Sequence, residues 1–143
     1  MNANGETKRG FMALVPHIVR VLYGLGFTVF GLIGLFGPAP DPEKLPMPEP
    51  AKALFIGMIG SGYMLKLVSA TQFVSGVLLL INRFVPLALA FLAPMIVNIV
   101  AFHVFAAPEG TVIALFFAAM EVYLAWSYRR VYYPMLAAVV RPG

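Results

Sequence analysis

The chain has 143 residues, of which 61% are hydrophobic and 11% are charged. Soluble domains carry roughly a quarter charged residues, so this chain has too little polar surface to cover a globule in water. Its net charge of +4 could suit nucleic acid, but lysine and arginine flank apolar runs instead of forming one basic face, so no nucleic-acid partner is expected. The absence of cysteine excludes disulfide exchange, thiolate metal sites and c-type haem attachment.

Four windows approach the roughly 20 apolar residues that a transmembrane helix needs. They are 14–36, 63–81, 84–105 and 111–128. The first window is too long for a signal peptide and is expected to be a retained span. Because short connections join the second, third and fourth windows, these helices should form antiparallel hairpins. The sequence therefore predicts an all-α fold, a single-domain integral membrane bundle of four helices.

The connection between the first and second windows differs from the others. Residues 38–50 hold six prolines together with Asp41, Glu43 and Glu49, which favours an extended loop in water. The next segment, 51–60, is apolar but too short to span a bilayer. We expect it to form a short helix at the membrane interface.

The orientation follows from the basic residues, since cytoplasmic loops are enriched in lysine and arginine. Cytoplasmic termini would place seven basic residues inside and three outside. The seven are Lys8, Arg9, Arg20, Arg83, Arg129, Arg130 and Arg141, and the three are Lys44, Lys52 and Lys66. This asymmetry predicts cytoplasmic termini and an external loop over 38–50. The aromatic residues Trp126, Tyr128, Tyr132 and Tyr133 suit the cytoplasmic interface.

Each window carries small and polar residues at helical spacing, a pattern typical of packed faces in membrane bundles. These predicted inward faces are Arg20, Gly24, Thr28 and Gly31; Ser69, Gln72 and Gly76; Ala90, Pro94, Asn98 and Ala101; and Ala114, Ala118, Glu121 and Ala125. A packing face is the plainer interpretation, and a ligand cavity is the alternative. The candidate cavity residues are Arg20, Gln72, Asn98, His103 and Glu121.

Glu121 is the strongest single signal, because a carboxyl group inside a membrane is costly and is usually paired or functional. Its span runs antiparallel to that of Arg20, which predicts an ion pair between them. In the alternative, Arg20 reaches the interface and Glu121 faces a ligand. We expect no haem from this chain alone, because His17 and His103 would lie roughly 25 to 30 Å apart. No metal-ligand spacing is present either.

Four stretches between about Arg20 and Leu136 carry a family resemblance. They are RVLYGLGFTVFGLIGLF, SGYMLKLVSATQFVSGVLLLINRFVPLAL, LAPMIVNIVAFHVFAAPEG and EVYLAWSYRRVYYPML, one for each window in chain order. In combination they resemble the DoxX family of small four-helix membrane proteins.

The resemblance implies a four-helix bundle in the bacterial cytoplasmic membrane. It also implies a link to quinone-coupled oxidation of sulfur compounds, beside other membrane or peripheral oxidoreductase subunits. Arg20, Asn98, His103 and Glu121 match positions where polar residues of the family are expected. Gln72 stands where the family often has glutamate, and a lysine often found near the end of the first span is absent from 34–37.

Three functions are compatible with these features. The first is an integral subunit of a redox complex, with a quinone between apolar walls that carry few polar groups. The second is a non-catalytic accessory subunit that stabilises a larger membrane assembly. The third, a small-molecule binder or carrier, ranks last because no inverted repeat is present. The isolated chain is expected to have no catalytic activity.

Overall fold

The computed structural model of the chain describes residues 3–38 and 40–138, so Arg141 and position 39 of the predicted loop lie outside the described residues. The regular secondary structure of this part is helical. The helices are α1 (Ala3–Phe36), α2 (Glu49–Gly60), α3 (Met64–Leu80), α4 (Val85–Phe105), α5 (Thr111–Ser127) and α6 (Arg129–Tyr132). Short 3₁₀ turns lie between α1 and α2 (Pro42–Lys44), between α4 and α5 (Pro108–Gly110) and after α6 (Tyr133–Leu136).

Three helical segments are long and apolar enough to cross a membrane: Met12–Phe36, Val85–Phe105 and Pro108–Ser127. The remaining long helix, α3, has 17 residues. At about 1.5 Å per residue it measures about 26 Å, slightly less than a hydrocarbon core of roughly 30 Å. It passes the same test only together with α2, as a broken span or a re-entrant loop. The described part of the chain is thus all-helical, with three to four apolar segments that are able to span a membrane.

The axis bends by 92° between α2 and α3. Ser61 forms this corner, because its hydroxyl donates to Met58 O at 2.7 Å and accepts from the Met64 N–H at 3.0 Å. Gly62 follows with a φ of +76°, a conformation that favours glycine. If α3 crosses the membrane, α2 lies along its surface, which is the placement expected for 51–60.

The proline-rich connection is less extended than the sequence suggested. Residues 42–44 form a 3₁₀ turn, closed by an ion pair between Lys44 Nζ and Asp41 Oδ2 at 3.1 Å. The following helix α2 begins at Glu49, earlier than predicted, because proline is well tolerated in the first turn of a helix, where Pro50 lies.

The four long helices pack in a ring around one core. Helix α1 packs along α3, α3 on α4, α4 on α5, and α5 on α1. The largest fully buried side chains of this core are Tyr23, Phe27, Leu79, Leu89, Leu92 and Leu124.

Helices α1 and α3 approach each other closely at glycines on both sides. A Cβ atom at Gly31 would lie 2.4 Å from the backbone nitrogen of Phe73, and one at Gly76 would lie 2.5 Å from the backbone nitrogen of Thr28. Backbone atoms cannot move aside as a flexible side chain can. Glycine at these two positions is therefore what permits the contact.

Each of these two antiparallel helices also supplies a cation to the carboxyl end of the other. Arg20 Nη1 of α1 donates to Leu79 O in the last turn of α3. Lys66 Nζ of α3 donates to Gly34 O at 3.2 Å and to Leu35 O at 2.5 Å, at the end of α1. The last carbonyls of a helix lack intrahelical donors and carry partial negative charge, so both cations stabilise helix ends.

The predicted inward faces are confirmed in part on three helices and wrong on α4. Arg20, Gly24, Gly31, Ser69, Gly76, Ala114 and Glu121 are buried as expected, whereas Thr28, Gln72, Ala118 and Ala125 are half-buried. On α4, however, Ala90, Pro94 and Asn98 are exposed and Ala101 is half-buried. The core instead receives the bulkier side of α4: Val85, Ala88, Leu89, Leu92 and Ile96. Large aliphatic side chains fill the volume that small residues would leave empty at this position.

Replacing Gly31 with alanine should destabilise the chain by about 1–3 kcal/mol, because the added methyl group must push the α1 and α3 backbones apart. Gly60→Ala is the matched control, since a Cβ atom there would meet nothing within 4 Å. The free energy of unfolding in detergent measures both effects. Equal losses at the two positions would contradict the close α1–α3 contact.

Candidate functional site: a buried polar cluster between α1 and α5

Two charged side chains are buried in the described part of the bundle, Arg20 on α1 and Glu121 on α5. Their exposed fractions are 7% and 6%. Removing a charge from water is costly unless the protein supplies hydrogen bonds or an opposite charge. The partners of these two groups therefore define what the site can do.

The predicted ion pair between Arg20 and Glu121 is wrong. Among the described residues, ion pairs occur only at α2 and in the loop before it. The guanidinium of Arg20 is directed to Leu79 O, while its Nε has no hydrogen-bond partner. Arg20 is thus bonded to a backbone carbonyl at the end of α3 instead of to the carboxylate of Glu121.

Glu121 lies beside the hydroxyl of Tyr23 instead. Neither the Tyr23 hydroxyl nor Glu121 Oε2 completes a hydrogen bond of regular geometry, although both atoms are buried. The Tyr23 ring is held edge-on against Phe27, with ring centroids 4.9 Å apart, and lies 5.9 Å from the Phe117 ring. This aromatic packing holds the Tyr23 ring against its own helix and against Phe117 of α5.

Tyr132 on α6 lies at the end of the bundle where α5 stops. Its hydroxyl donates to Pro86 O at 2.6 Å, in the first turn of α4. Burial, and then the nearby Glu121 carboxylate, raise the pKa of Tyr132 to about 12. The segment after α5 is therefore tied to the start of α4, within the electrostatic reach of Glu121.

The other three candidate residues lie away from this cluster. Gln72 is half-buried on α3, and Asn98 is exposed on α4. His103 is half-buried near the opposite end of the bundle, with Nδ1 2.8 Å from Ile99 O. Its ring occupies the space beside Gly110, where a Cβ atom would lie 2.1 Å from His103 Cδ2. The structure thus separates these three residues from Arg20, which bonds to Leu79 O, and from Glu121, which lies beside Tyr23.

Two residues of the cluster were not among the sequence-based candidates. Tyr23 follows Arg20 by three positions, so helical spacing alone places it on nearly the same face. Tyr132 belongs to an aromatic stretch that the sequence analysis assigned to the membrane interface. Nothing in the sequence indicates that its hydroxyl reaches the first turn of α4.

The chemistry of the cluster is hydrogen bonding and proton exchange. A phenol can donate and accept, and a carboxyl group accepts when ionised and donates when protonated. In the part of the chain that the structure describes, no three histidine, cysteine, aspartate or glutamate side chains come together as a metal site would require. Tyr23 and Glu121 therefore provide buried oxygens that can donate or accept hydrogen bonds.

Comparison with known proteins adds no further constraint. No protein-family model, no curated protein and no solved structure matches this chain.

Tyr132→Phe should flatten the loss of stability at alkaline pH. The pKa of Tyr132 is raised from about 10 to about 12, so the folded chain holds the phenol proton more tightly than the unfolded chain does. The stability that this group contributes is full below about pH 10 and is lost as pH rises through about 12.

The free energy of unfolding should therefore fall more steeply over this range in the unmodified chain than in Tyr132→Phe. Tyr133→Phe is the neighbouring control, because Tyr133 is 60% exposed. An unchanged slope in Tyr132→Phe, or an equal change in Tyr133→Phe, would contradict the placement of Tyr132.

Proposed function

We propose that this chain is a DoxX-like integral membrane subunit of a redox complex and that it binds a quinone head group at Tyr23 and Glu121. The observation that carries the proposal is a buried phenol beside a buried carboxyl group, each with an oxygen that lacks a partner. An ionisable group inside a membrane bundle is a functional-site hypothesis by default. The family resemblance in the sequence points to the same chemistry.

A quinone suits the donors and the walls of this cluster. Its carbonyl oxygens accept hydrogen bonds from a phenol or a protonated carboxyl group, and its ring is apolar. Phe117, which is half-buried, lies 5.9 Å from the Tyr23 ring and offers aromatic surface to such a ring. Reduction of a quinone takes two electrons and two protons. The electrons would come from a cofactor of a partner oxidoreductase subunit, and Glu121 would exchange protons with the quinone oxygens.

The setting that we propose is the bacterial cytoplasmic membrane, with four spans and both termini in the cytoplasm. The ring of α1, α3, α4 and α5 supports a four-helix bundle. The excess of lysine and arginine on one side supports the orientation. In this orientation Tyr23 and Glu121 lie in the cytoplasmic half of the bundle, close to where a peripheral partner subunit would dock.

A non-catalytic accessory subunit is the second candidate, and a different observation favours it. Asn98 is exposed on the outer surface of α4, and its amide has no hydrogen-bond partner among the described residues. An amide that faces lipid gains hydrogen bonds when a neighbouring helix covers it. Under this alternative the chain stabilises a larger assembly through α4, and the Tyr23–Glu121 cluster is structural.

Quinone binding can be followed through the single tryptophan of the chain. Trp126 lies five residues after Glu121 on α5, about 7.5 Å along the helix axis, so a bound quinone should quench its fluorescence. We expect saturable quenching by a short-chain quinone in detergent. Tyr23→Phe and Glu121→Gln should each raise the apparent Kd about two- to tenfold, the effect of one hydrogen bond of about 0.5–1.5 kcal/mol.

Glu109→Gln provides the matched control, because it removes an exposed carboxyl group at the other end of α5. Its apparent Kd should equal that of the unmodified chain. Quenching without saturation, or the same Kd in all variants, would overturn the quinone site. Recovery of an intact membrane assembly without bound quinone would then favour the accessory subunit.

A further inference from the structure

The exposed charges of the bundle are divided between its two ends. At the end where α1 stops and α3 begins lie the four exposed carboxyl groups that the structure describes: Asp41, Glu43, Glu49 and Glu109. At the other end, where α3 stops and α4 begins, the exposed lysine and arginine side chains of the described residues are Arg83 and Arg130. This second end therefore carries positive charge with no exposed carboxyl group in the part of the chain that the structure describes.

The lysines at the first end all have acceptors. Lys44 Nζ lies 3.1 Å from Asp41 Oδ2, and Lys52 Nζ lies 3.2 Å from Glu49 Oε1. Lys66 Nζ donates to two carbonyls at the end of α1. The positive charges at this end are thus satisfied within the chain.

Arg83 and Arg130 have no such acceptors. Neither guanidinium group makes a hydrogen bond or an ion pair with a described residue. Arg129, beside Arg130 on α6, donates to Trp126 O at 2.9 Å and lies 4.7 Å from the centre of the Trp126 ring, so it has no anionic partner either. Water alone can solvate an arginine, but arginines that meet at one place repel each other, and an anion between them removes that repulsion.

Two contacts bring Arg83 and Arg130 to the same corner of the bundle. Arg83 lies in the turn that ends α3, where its backbone N–H donates to Leu78 O at 3.0 Å. Tyr132, two residues after Arg130, donates through its hydroxyl to Pro86 O at 2.6 Å, three residues after Arg83. The turn between α3 and α4 is thereby joined to α6. The two guanidinium groups come to this corner from distant parts of the chain.

A buried guanidinium adds positive charge at the same turn. Arg20 is 7% exposed and donates to Leu79 O, next to the carbonyl that accepts from the Arg83 N–H. No described carboxyl group pairs with Arg20, and its Nε has no hydrogen-bond partner. Because solvent and salt screen a buried charge less than an exposed one, Arg20 strengthens the positive potential at this corner.

The helix surface next to these arginines is apolar. Phe84 follows Arg83 with a φ of +52°, which is rare for an aromatic residue, and its side chain is 67% exposed. Leu87 in the first turn of α4 and Trp126 in the last turn of α5 are 50% and 67% exposed. When α4 and α5 cross a membrane, the arginines lie at the edge of this apolar surface, at the depth of the lipid phosphates. A ligand with an anionic head and an apolar body fits this corner.

We propose that Arg83 and Arg130 bind the phosphate of an anionic phospholipid, whose acyl chains lie on the adjoining apolar surface of α4 and α5. A guanidinium group can donate to two phosphate oxygens at once, which makes arginine well suited to this anion. A zwitterionic lipid carries its own cation beside the phosphate, and that cation competes with the arginines. An acidic segment of a partner protein could pair with the arginines, but it would leave the apolar surface around Phe84 uncovered.

The test is thermal unfolding in a neutral detergent, titrated with dioleoyl phosphatidylglycerol. The anionic lipid should raise the unfolding temperature saturably, and dioleoyl phosphatidylcholine should not. Arg83→Gln and Arg130→Gln should each raise the apparent Kd for the anionic lipid about fivefold. Because both side chains are exposed, neither change should lower the unfolding temperature in the absence of lipid. Lys44→Gln removes the same charge from the other end and should leave the Kd unchanged.

Two further measurements separate a lipid from other anions. Glycerol phosphate, which has the phosphate without acyl chains, should not stabilise the chain, and stabilisation equal to that by the lipid would replace the lipid site with a site for a free anion. Native mass spectrometry of the chain released from its membranes should show a retained anionic phospholipid, which Lys44→Gln keeps and the Arg83→Gln/Arg130→Gln double variant loses. Equal shifts with both lipids, retention in the double variant, or an acidic partner protein bound in place of the lipid would overturn the proposal.

Discussion

The contact between α1 and α3 determines which acceptor the buried guanidinium of Arg20 reaches. Gly31 and Gly76 let the two backbones meet, and the antiparallel direction then places a cation of each helix at the carboxyl end of the other. Arg20 is committed to Leu79 O by this arrangement. Glu121 is left without a cation, and its neighbour becomes the phenol of Tyr23.

This arrangement stabilises the helix ends and leaves the carboxyl group incompletely bonded. An acidic side chain at the centre of a membrane helix costs about 2.5–3.5 kcal/mol on insertion scales, and Glu121 Oε2 has no hydrogen-bond partner among the described residues. Buried polar groups are usually fully hydrogen-bonded, and proteins commonly depart from this rule at functional sites. The rest of the core is built mainly from large aliphatic and aromatic side chains.

Much of the fold could be predicted from the sequence, because length and apolarity decide which segments can cross a membrane. The runs that became α1, α4 and α5 were evident, as was the apolar segment too short to span that became α2. The inward side of α4 could not be predicted. Helical spacing shows which residues share a face of the helix, but it does not show which face packs against the core. The bulky side of α4, including Leu89 and Leu92, fits the core better than the line through Asn98.

The hydrogen-bond partners of the two buried charged side chains also could not be predicted from the sequence. Arg20 and Glu121 met every condition for an ion pair that spacing can supply, namely antiparallel helices and small-residue faces. The competing acceptor, Leu79 O, is a backbone atom 59 residues away from Arg20. Every residue has a backbone carbonyl, so the sequence does not show which carbonyl will accept a hydrogen bond from a given guanidinium. That depends on how the helices pack.

The arrangement of the buried groups predicts that Glu121 is coupled to Tyr23 and not to Arg20. Double-mutant cycles on the free energy of unfolding in detergent measure both couplings. The cycle of Tyr23→Phe with Glu121→Gln should give a coupling of about 0.5–3 kcal/mol, as contacting residues do, and the cycle of Arg20→Met with Glu121→Gln should be additive within about 0.5 kcal/mol. The reverse, additive losses for Tyr23 and a large coupling for Arg20, would contradict the account.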